Sequence, residues 1–307
     1  MAKYTNLDEN ETLFFESELE FVKAKSYDVQ YPELLFDKIL PISSEAPAGA
    51  ETITYHQYDM TGHAKLITSY ANDLPVVGAN AKKFTQEVYS IGVSFGYSMQ
   101  DIRASAMANK SLDQRLANAA RKAVLTKMND LALYGDDDTS LKGFIDYPNI
   151  NMYTVASDGT GSKSEWSTKT PDQILRDINE AAQAVRTLTN SVEFVNTLLV
   201  PDAQYGLLAT TPRSSTSDTT ILEFLLKTSP WIKTVMPVWE LAGAGASGKD
   251  CFILYNKSPD KLTFEIPQQY EMFSVQQKGL YFEVPAHARV GGVIMYCPMS
   301  VIRGDGI

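Results

Sequence analysis

Two segments near the start of the chain constrain its fold more than any others. ETITYHQYDM (51–60) alternates Ile53, Tyr55 and Gln57 against Thr52, Thr54 and His56. A period of two in β-branched and aromatic residues predicts a strand. FTQEVYSIGVSFGYSM (84–99) predicts a second strand after a polar, glycine-bearing interval, so the two read as one long ribbon. A lone two-stranded ribbon is marginal in water. This one therefore needs a surface to rest on.

The preceding segment, ETLFFESELEFVKAKSYDVQYPELLFDKILPIS, raises the same demand. Residues 12–24 place Leu13, Phe14, Leu19 and Val22 near one face of a short amphipathic helix. The remainder, interrupted by Pro32 and Pro41, reads as extended. Such an apolar arm lies either on the edge of its own core or against a neighbouring subunit, and the sequence leaves both open.

Beyond the ribbon the pattern becomes helical. A short helical turn is expected around DIRASAMA, and SLDQRLANAARKAVLTKMNDLALYG (111–135) is the strongest helix of the chain. Ser111 and Gln114 spell a capping box. Leu112, Leu116, Ala119, Ala120, Ala123, Val124, Met128 and Leu131 make the apolar stripe, and Gly135 supplies the stop. SDGTGSKSEWSTK (157–169) reads as a surface loop. Thr170, Pro171 and Gln173 open a second helix with the stripe Ile174, Ile178, Ala181, Val185 and Leu188. FVNTLLVP is strand-like, DAQYGLLAT and SDTTILEFLLKT are helical, and WIKTVMPVWEL, CFILYN, KLTFEI, GLYFEV and VGGVIMYCPMSVI are strand candidates. The class is α+β, with its sheet assembled from distant parts of the sequence.

Composition narrows the function. No run of 18 apolar residues occurs, so no membrane span is expected. The acidic start, MAKYTNLDENETLFF, lacks the basic and apolar regions of an export signal. Cys251 and Cys297, the two cysteines, are expected as buried thiols. A net charge of −10 argues against the basic footprint of a nucleic-acid binder, yet suits a container that encloses nucleic acid without sticking to it.

The residues give no chemistry. His56, His63 and His287, placed in a strand, a loop and a late turn, have no zinc spacing around them. Asp136, Asp137 and Asp138 are adjacent, and three adjacent aspartates do not all face one ion. Arg303-Gly304-Asp305 is accounted for by a C-terminal tail. GAGASGKD (243–250) sets Gly243, Gly248 and Lys249 at phosphate-loop spacing, but Asp250 replaces the hydroxyl and the strand pattern CFILYN follows where a helix should begin. It reads as a connection between strands. No catalytic, cofactor-binding or metal site is expected. An enzyme with a discontinuous active site is the rival reading.

Three stretches carry a family resemblance: IGVSFGYSMQDIRAS leaving the ribbon, LDQRLANAARKAV in the helix, and LYGDDDTSLKGFIDYPNI after it, with Gly135 and then Gly143-Phe144. TLLVPDAQYGLLA adds a strand–proline–helix step. In this order the chain resembles the major capsid proteins of tailed bacteriophages and the related encapsulin shell proteins. The resemblance implies an N-terminal arm (1–46), an extended E-loop (47–97), a P-domain (98–169 and 286–307) and an A-domain (170–285). It also implies a homo-oligomeric shell, either a virion capsid assembled in the host cytoplasm or a cellular encapsulin compartment. Separate scaffold, portal or decoration proteins are the partners such a shell would use, and no membrane is involved. The 46 residues before the ribbon leave no room for a large scaffolding segment of the chain's own.

Some capsids of that family cross-link an E-loop lysine to a neighbour's P-domain asparagine with help from a glutamate. Lys65, Lys82 and Lys83 could supply the amine. Pro285 to Ile307 contains neither asparagine nor glutamate, and Asn149 and Asn151 lack the matching context. An amide with no placed general base has no useful route to reaction. Denaturing electrophoresis of assembled particles should therefore show only the 34.0 kDa chain; a ladder of multimers that survives reducing agent would overturn this.

Overall fold

The computed structural model describes residues 31–66, 74–108, 112–214, 216 and 218–307. The chain divides after Glu33, and Leu34–Ile307 is a single unit. The helix expected at 12–24 and the Ser111 cap lie outside the described residues.

A one-turn helix α1 (Phe36–Ile39) and a short strand β1 (Ile42–Ser43) precede the ribbon strands β2 (Thr52–Thr61) and β3 (Gly78–Glu87). β4 (Tyr89–Ser98) leads into α2 (Met99–Ala108) and the long α3 (Leu112–Leu133). A tight hairpin, β5 (Gly135–Asp136) with β6 (Leu141–Lys142), follows, then β7 (Asn151–Thr154). Next come α4 (Pro171–Leu188), β8 (Thr197–Val200), α5 (Asp202–Thr210), α6 (Ile221–Thr228) and β9 (Thr234–Pro237). Seven strands close the order: β10 (Cys251–Tyr255), β11 (Leu262–Glu265), β12 (Gln268–Met272), β13 (Gln276–Lys278), β14 (Tyr281–Val290), β15 (Gly292–Met295) and β16 (Val301–Asp305).

The central sheet has the order β7-β16-β10-β8-β9. β10 runs antiparallel to both neighbours, while β7–β16 and β8–β9 are parallel pairs. Two of its three inner strands, β8 and β10, read TLLV and CFILY, without polar alternation, because both faces are covered. Cys251, Ile253 and Tyr255 join one cluster with Phe36, Val124, Met128 and Phe144. Phe252 and Leu254 point the other way, into a cluster with Trp166, Ile174, Ile178 and Leu225. α3 and α1 thus cover one face, and α4 and α6 the other. The sheet takes strands from both sides of the boundaries expected at 170 and 286.

A second sheet surrounds β14. β4 pairs with it over ten residues on one side, from Tyr89↔Val290 to Ser98↔Tyr281, and β12 and β13 share the other side. A third sheet, β1-β11-β15, ties residues 42–43 to the C-terminal strands.

Several sequence expectations need correction. Residues 84–99 are two strands, not one, because Val88 turns inward: it is buried, and its N–H donates to the Glu51 carbonyl. Residues 36–39 are helical rather than extended, and Phe36, Ile39 and Leu40 are buried in the subunit's own core. Of the two readings of the arm, the first holds for this part. The loop at 157–169 is not all surface. Its Trp166 is fully buried, stacked on Phe252 at 5.4 Å between ring centroids. Ala119, Ala123 and Leu188 are exposed, since the buried stripe of α3 runs through Ala120, Val124, Met128 and Leu131, and the chain turns away after α4 at Asn190 and Ser191. VWEL contains a 3-10 turn (Trp239–Leu241) and is not a strand.

Other expectations match. Thr170 Oγ1 accepts the Gln173 N–H while Gln173 Oε1 accepts the Thr170 N–H, completing the capping box. Gly135 follows α3 at φ 77°, a conformation in which side chains other than glycine are strained.

Gly304 shows how tightly the central sheet is filled. A Cβ there would fall inside the Phe252 ring, which is itself clamped by Trp166. We expect Gly304→Ala to cost about 1–3 kcal/mol by overpacking, seen as a lowered denaturation midpoint. Trimming the ring with Phe252→Leu in the same chain should recover part of that loss, a non-additivity that a double-mutant cycle measures.

Candidate assembly surfaces

The ribbon is anchored at its root and bare at its tip. β2 and β3 pair over ten residues, from Thr52↔Glu87 to Thr61↔Gly78, a length of roughly 34 Å. At the root, Tyr55 stacks on Phe84 at 5.1 Å and meets Tyr296 edge-on at 5.0 Å. Burial pushes the Tyr55 hydroxyl up to about 12. Further out the expected alternation of burial stops, and both faces are exposed. Tyr58, Met60, Leu66, Val76 and Val77 all stand in solvent, Met60 at 84% and Val76 at 92%. These residues have the composition of a buried strand pair, and nothing among the described residues buries them.

Two more apolar surfaces accompany it. Met272, Phe273, Val275, Leu280 and Tyr281 are exposed together where β12, β13 and β14 meet. An open groove of about 520 Å³ runs between α1, α3 and β12, lined by Phe36, Ile42, Leu125, Met128, Tyr270 and Met272.

The junction between arm and core is polar and specific. Asn129, buried on α3, accepts the backbone N–H groups of Leu35 and Phe36 through Oδ1, both at 3.2 Å. Its Nδ2 donates to Glu240 Oε1 at 3.1 Å. One side chain thus supplies the N-terminal donors of α1 with an acceptor and ties them to the segment before β10. Tyr255 adds a second fastening by donating to the Ile39 carbonyl at 2.6 Å.

The sequence motifs resolve into structure. In GAGASGKD, Asp250 Oδ1 accepts the Gly243 N–H at 2.9 Å and Lys249 Nζ reaches Ser164 at 3.4 Å. The loop is closed on itself and runs straight into β10. Asp136 accepts from Thr139 at 2.6 Å and lies 3.7 Å from Lys127. Among the described residues no group of three metal-ligating side chains forms. His287 lies within β14 rather than in a turn. Arg303-Gly304-Asp305 is not a tail but part of β16. Arg303 is buried, pairs with Asp305 at 2.9 Å and with Asp146, and donates to the Ile145 carbonyl. Lys82 and Lys83 lie in β3, with Lys82 over the Phe84 ring, and Lys65 lies beyond β2. Asn151 donates to the carbonyls of Met299 and Val301, and Asn149 adopts φ 65°. Cys251 and Cys297 are both free thiols, the first fully buried and the second partly exposed.

Sequence reasoning missed a buried ionic cluster. Lys169 pairs with Asp177 at 2.6 Å and Asp158 at 3.1 Å, with no exposed side-chain surface on Lys169 or Asp177. Arg176, also paired with Asp158, holds that carboxyl below its ordinary range, helped by Lys169. The i, i+8 spacing of Lys169 and Asp177 across a helix start carried no signal.

A packed core, a ribbon whose outer half is bare and exposed apolar patches suit a subunit that is assembled with others. The family model described as "Major capsid protein" matches residues 62–307, and the chain belongs to that family. It is a structural shell subunit. Among solved structures it is similar to the capsid of Myoviridae phage XM1, at 16% identity and a TM-score of 0.83, over 96% of this chain and 99% of that one. It is also similar to the capsid of a native GTA particle, at 9% identity and a TM-score of 0.63, over 93% and 94%. A virus-like particle from Pyrococcus furiosus follows at 13% identity and a TM-score of 0.55, over 87% and 91%. No curated protein matches the chain. Family membership favours the capsid reading over the encapsulin alternative.

The Asn129–Glu240 contact generates a prediction. Burial raises the Glu240 carboxyl above its ordinary range, and the Asn129 hydrogen bond only partly opposes this. The native state then holds that proton more tightly than the unfolded chain. Stability therefore falls as pH rises from the ordinary glutamate range through the raised value. Glu240→Gln keeps an acceptor for Asn129 and removes the charge. Its thermal midpoint should exceed the parent's at mildly alkaline pH, with the gap closing as pH falls into the carboxylate range.

Proposed function

We propose that this chain builds the closed icosahedral capsid of a tailed phage, around the genome and in the host cytoplasm. The observation that supports this best is the two-sided exposure of the ribbon tip. A strand pair that long is not stable in water on its own, and copies of the same subunit are the partners a symmetric shell supplies. In this reading residues 1–46 act as arm, 47–97 as E-loop, 98–169 with 286–307 as P-domain and 170–285 as A-domain. Individually weak contacts become strong when the closing of the shell makes them simultaneous. The net charge of −10 suits a wall that holds nucleic acid by enclosure rather than by sequence. The role is structural rather than catalytic, and scaffold, portal or decoration functions fall to separate proteins.

Sizing chromatography with electron microscopy of the purified chain, under assembly-promoting salt and pH, tests this. Capsomers or closed shells are expected, and a stable monomer under every condition would overturn it. A chain lacking residues 1–30 should still unfold cooperatively but assemble poorly. Unimpaired shells from that variant would remove the arm from the scheme.

A further inference from the structure

One cluster of reactive side chains lies apart from the assembly surfaces. Lys261 immediately precedes β11 and Cys297 follows β15, two strands that pair antiparallel with Leu262 opposite Met295. The backbone N–H groups of Tyr296 and Cys297 both donate to the Lys261 carbonyl, at 2.9 and 3.3 Å. The two side chains are thereby held on the same side of the strand ends. Lys261 Nζ sits 2.6 Å from Glu193 Oε1 and 4.0 Å from Cys297 Sγ. Glu193 is buried, and its Oε2 has no hydrogen-bond partner among the described residues. An amine, a thiol and a carboxylate oxygen with spare accepting capacity thus share one small space. Both the amine and the thiol retain solvent contact.

We propose that Cys297 and Lys261 form an oxidative cross-linking site, in which one oxygen atom comes to bridge sulfur and nitrogen. The oxidant is dioxygen. The Glu193 hydrogen bond holds the Lys261 ammonium above its ordinary range, so the reacting species is its minor neutral amine, whose proton is released to water. The thiol S–H and one amine N–H are then lost, new S–O and O–N bonds form, and the second oxygen atom leaves as water with those two hydrogens. Sulfur and nitrogen are oxidised and dioxygen is reduced. The 4.0 Å gap suits an inserted oxygen better than a direct S–N bond. A disulfide is not the outcome, since the other thiol, Cys251, is sealed in the core and donates to the Leu241 carbonyl.

Burial pushes the Cys297 thiol above its ordinary range, with Lys261 opposing, so the thiolate is scarce and the reaction slow. That makes it an ageing reaction, reached once the chain leaves a reducing cell. The bridge would close the chain between residues 261 and 297, the segment that carries β12, β13 and β14 and their exposed apolar end. Closing a loop restricts the unfolded chain and raises resistance to denaturation.

The chemistry belongs to the single chain, so its outcome is read separately from shell assembly. The test is intact-mass and peptide mass spectrometry of the purified full-length chain, stored in air and stored without oxygen. The expected product is a linked pair of peptides holding Lys261 and Cys297, heavier by one oxygen and lighter by two hydrogens. It should be reversed by dithiothreitol and absent without oxygen. Cys297→Ser and Lys261→Arg should both abolish it, the second while keeping a cation beside Glu193. An unchanged mass in air, oxygen on Cys297 alone, loss of two hydrogens without oxygen, or a disulfide would each overturn the proposal.

Discussion

The burial of β10 on both faces is the constraint from which the remaining architecture follows. Five consecutive residues, Cys251 to Tyr255, have no exposed surface, so the sheet must be covered twice. α4 and α6 supply one cover, and the C-terminal half of α3 with α1 supplies the other. Segments far apart in the sequence are drawn in by this requirement. Trp166 is carried inward from a polar loop to stack on Phe252, and Phe36 from the arm to close the opposite side. The buried ions serve the same geometry. Lys169 and Asp177 fasten the Trp166 loop to α4, and Arg303 fastens β16 to the loop after β6. Removing one partner of the fully buried Lys169–Asp177 pair costs far more than the pair contributes.

The ribbon obeys the opposite logic. Its root is held by Ile53, Tyr55 and Phe84 against Gly291 and Tyr296, while its outer half buries almost nothing within the subunit. A core that is complete by itself and a projection that is incomplete are what a shell subunit needs. The first lets each copy fold before meeting others, and the second makes meeting favourable. α3 joins the two regimes. Its last turns lie in the core through Val124, Met128 and Leu131, most of residues 114–119 are exposed, and Asn129 holds the backbone of Leu35 and Phe36.

How much of this was legible in the sequence depended on whether the signal was periodic. The ribbon, the α4 capping box and the unbroken strands TLLV and CFILY were readable, because each encodes its environment in local order. The break at Val88 was not, since an apolar residue looks alike whether a strand continues or changes partner. The one-turn helix at Phe36 was hidden because its cap is Asn129, more than ninety residues away. Arg303-Gly304-Asp305 looked like a tail, since nothing local shows that Asp146 and Phe252 enclose it. For the assembly surfaces, the sequence identified apolar segments without partners but not which of them were free. Only the fold separated the arm residues that stay home, Phe36 to Leu40, from the ribbon tip that does not.

The ribbon tip also has a kinetic side. Two ten-residue strands with exposed outer edges and residues such as Met60, Val76 and Val77 offer any similar strand a template, and the tip does not distinguish the correct neighbour from a misaligned one by itself. Proper addition has to satisfy several contacts at once, whereas a wrong edge-to-edge encounter needs only one. The two compete differently with concentration: crowding fresh subunits together favours whichever contact forms first, and slow supply favours whichever survives correction. For a chain of this design, the rate at which subunits become available is therefore as much a determinant of a well-formed product as the strength with which they finally hold one another.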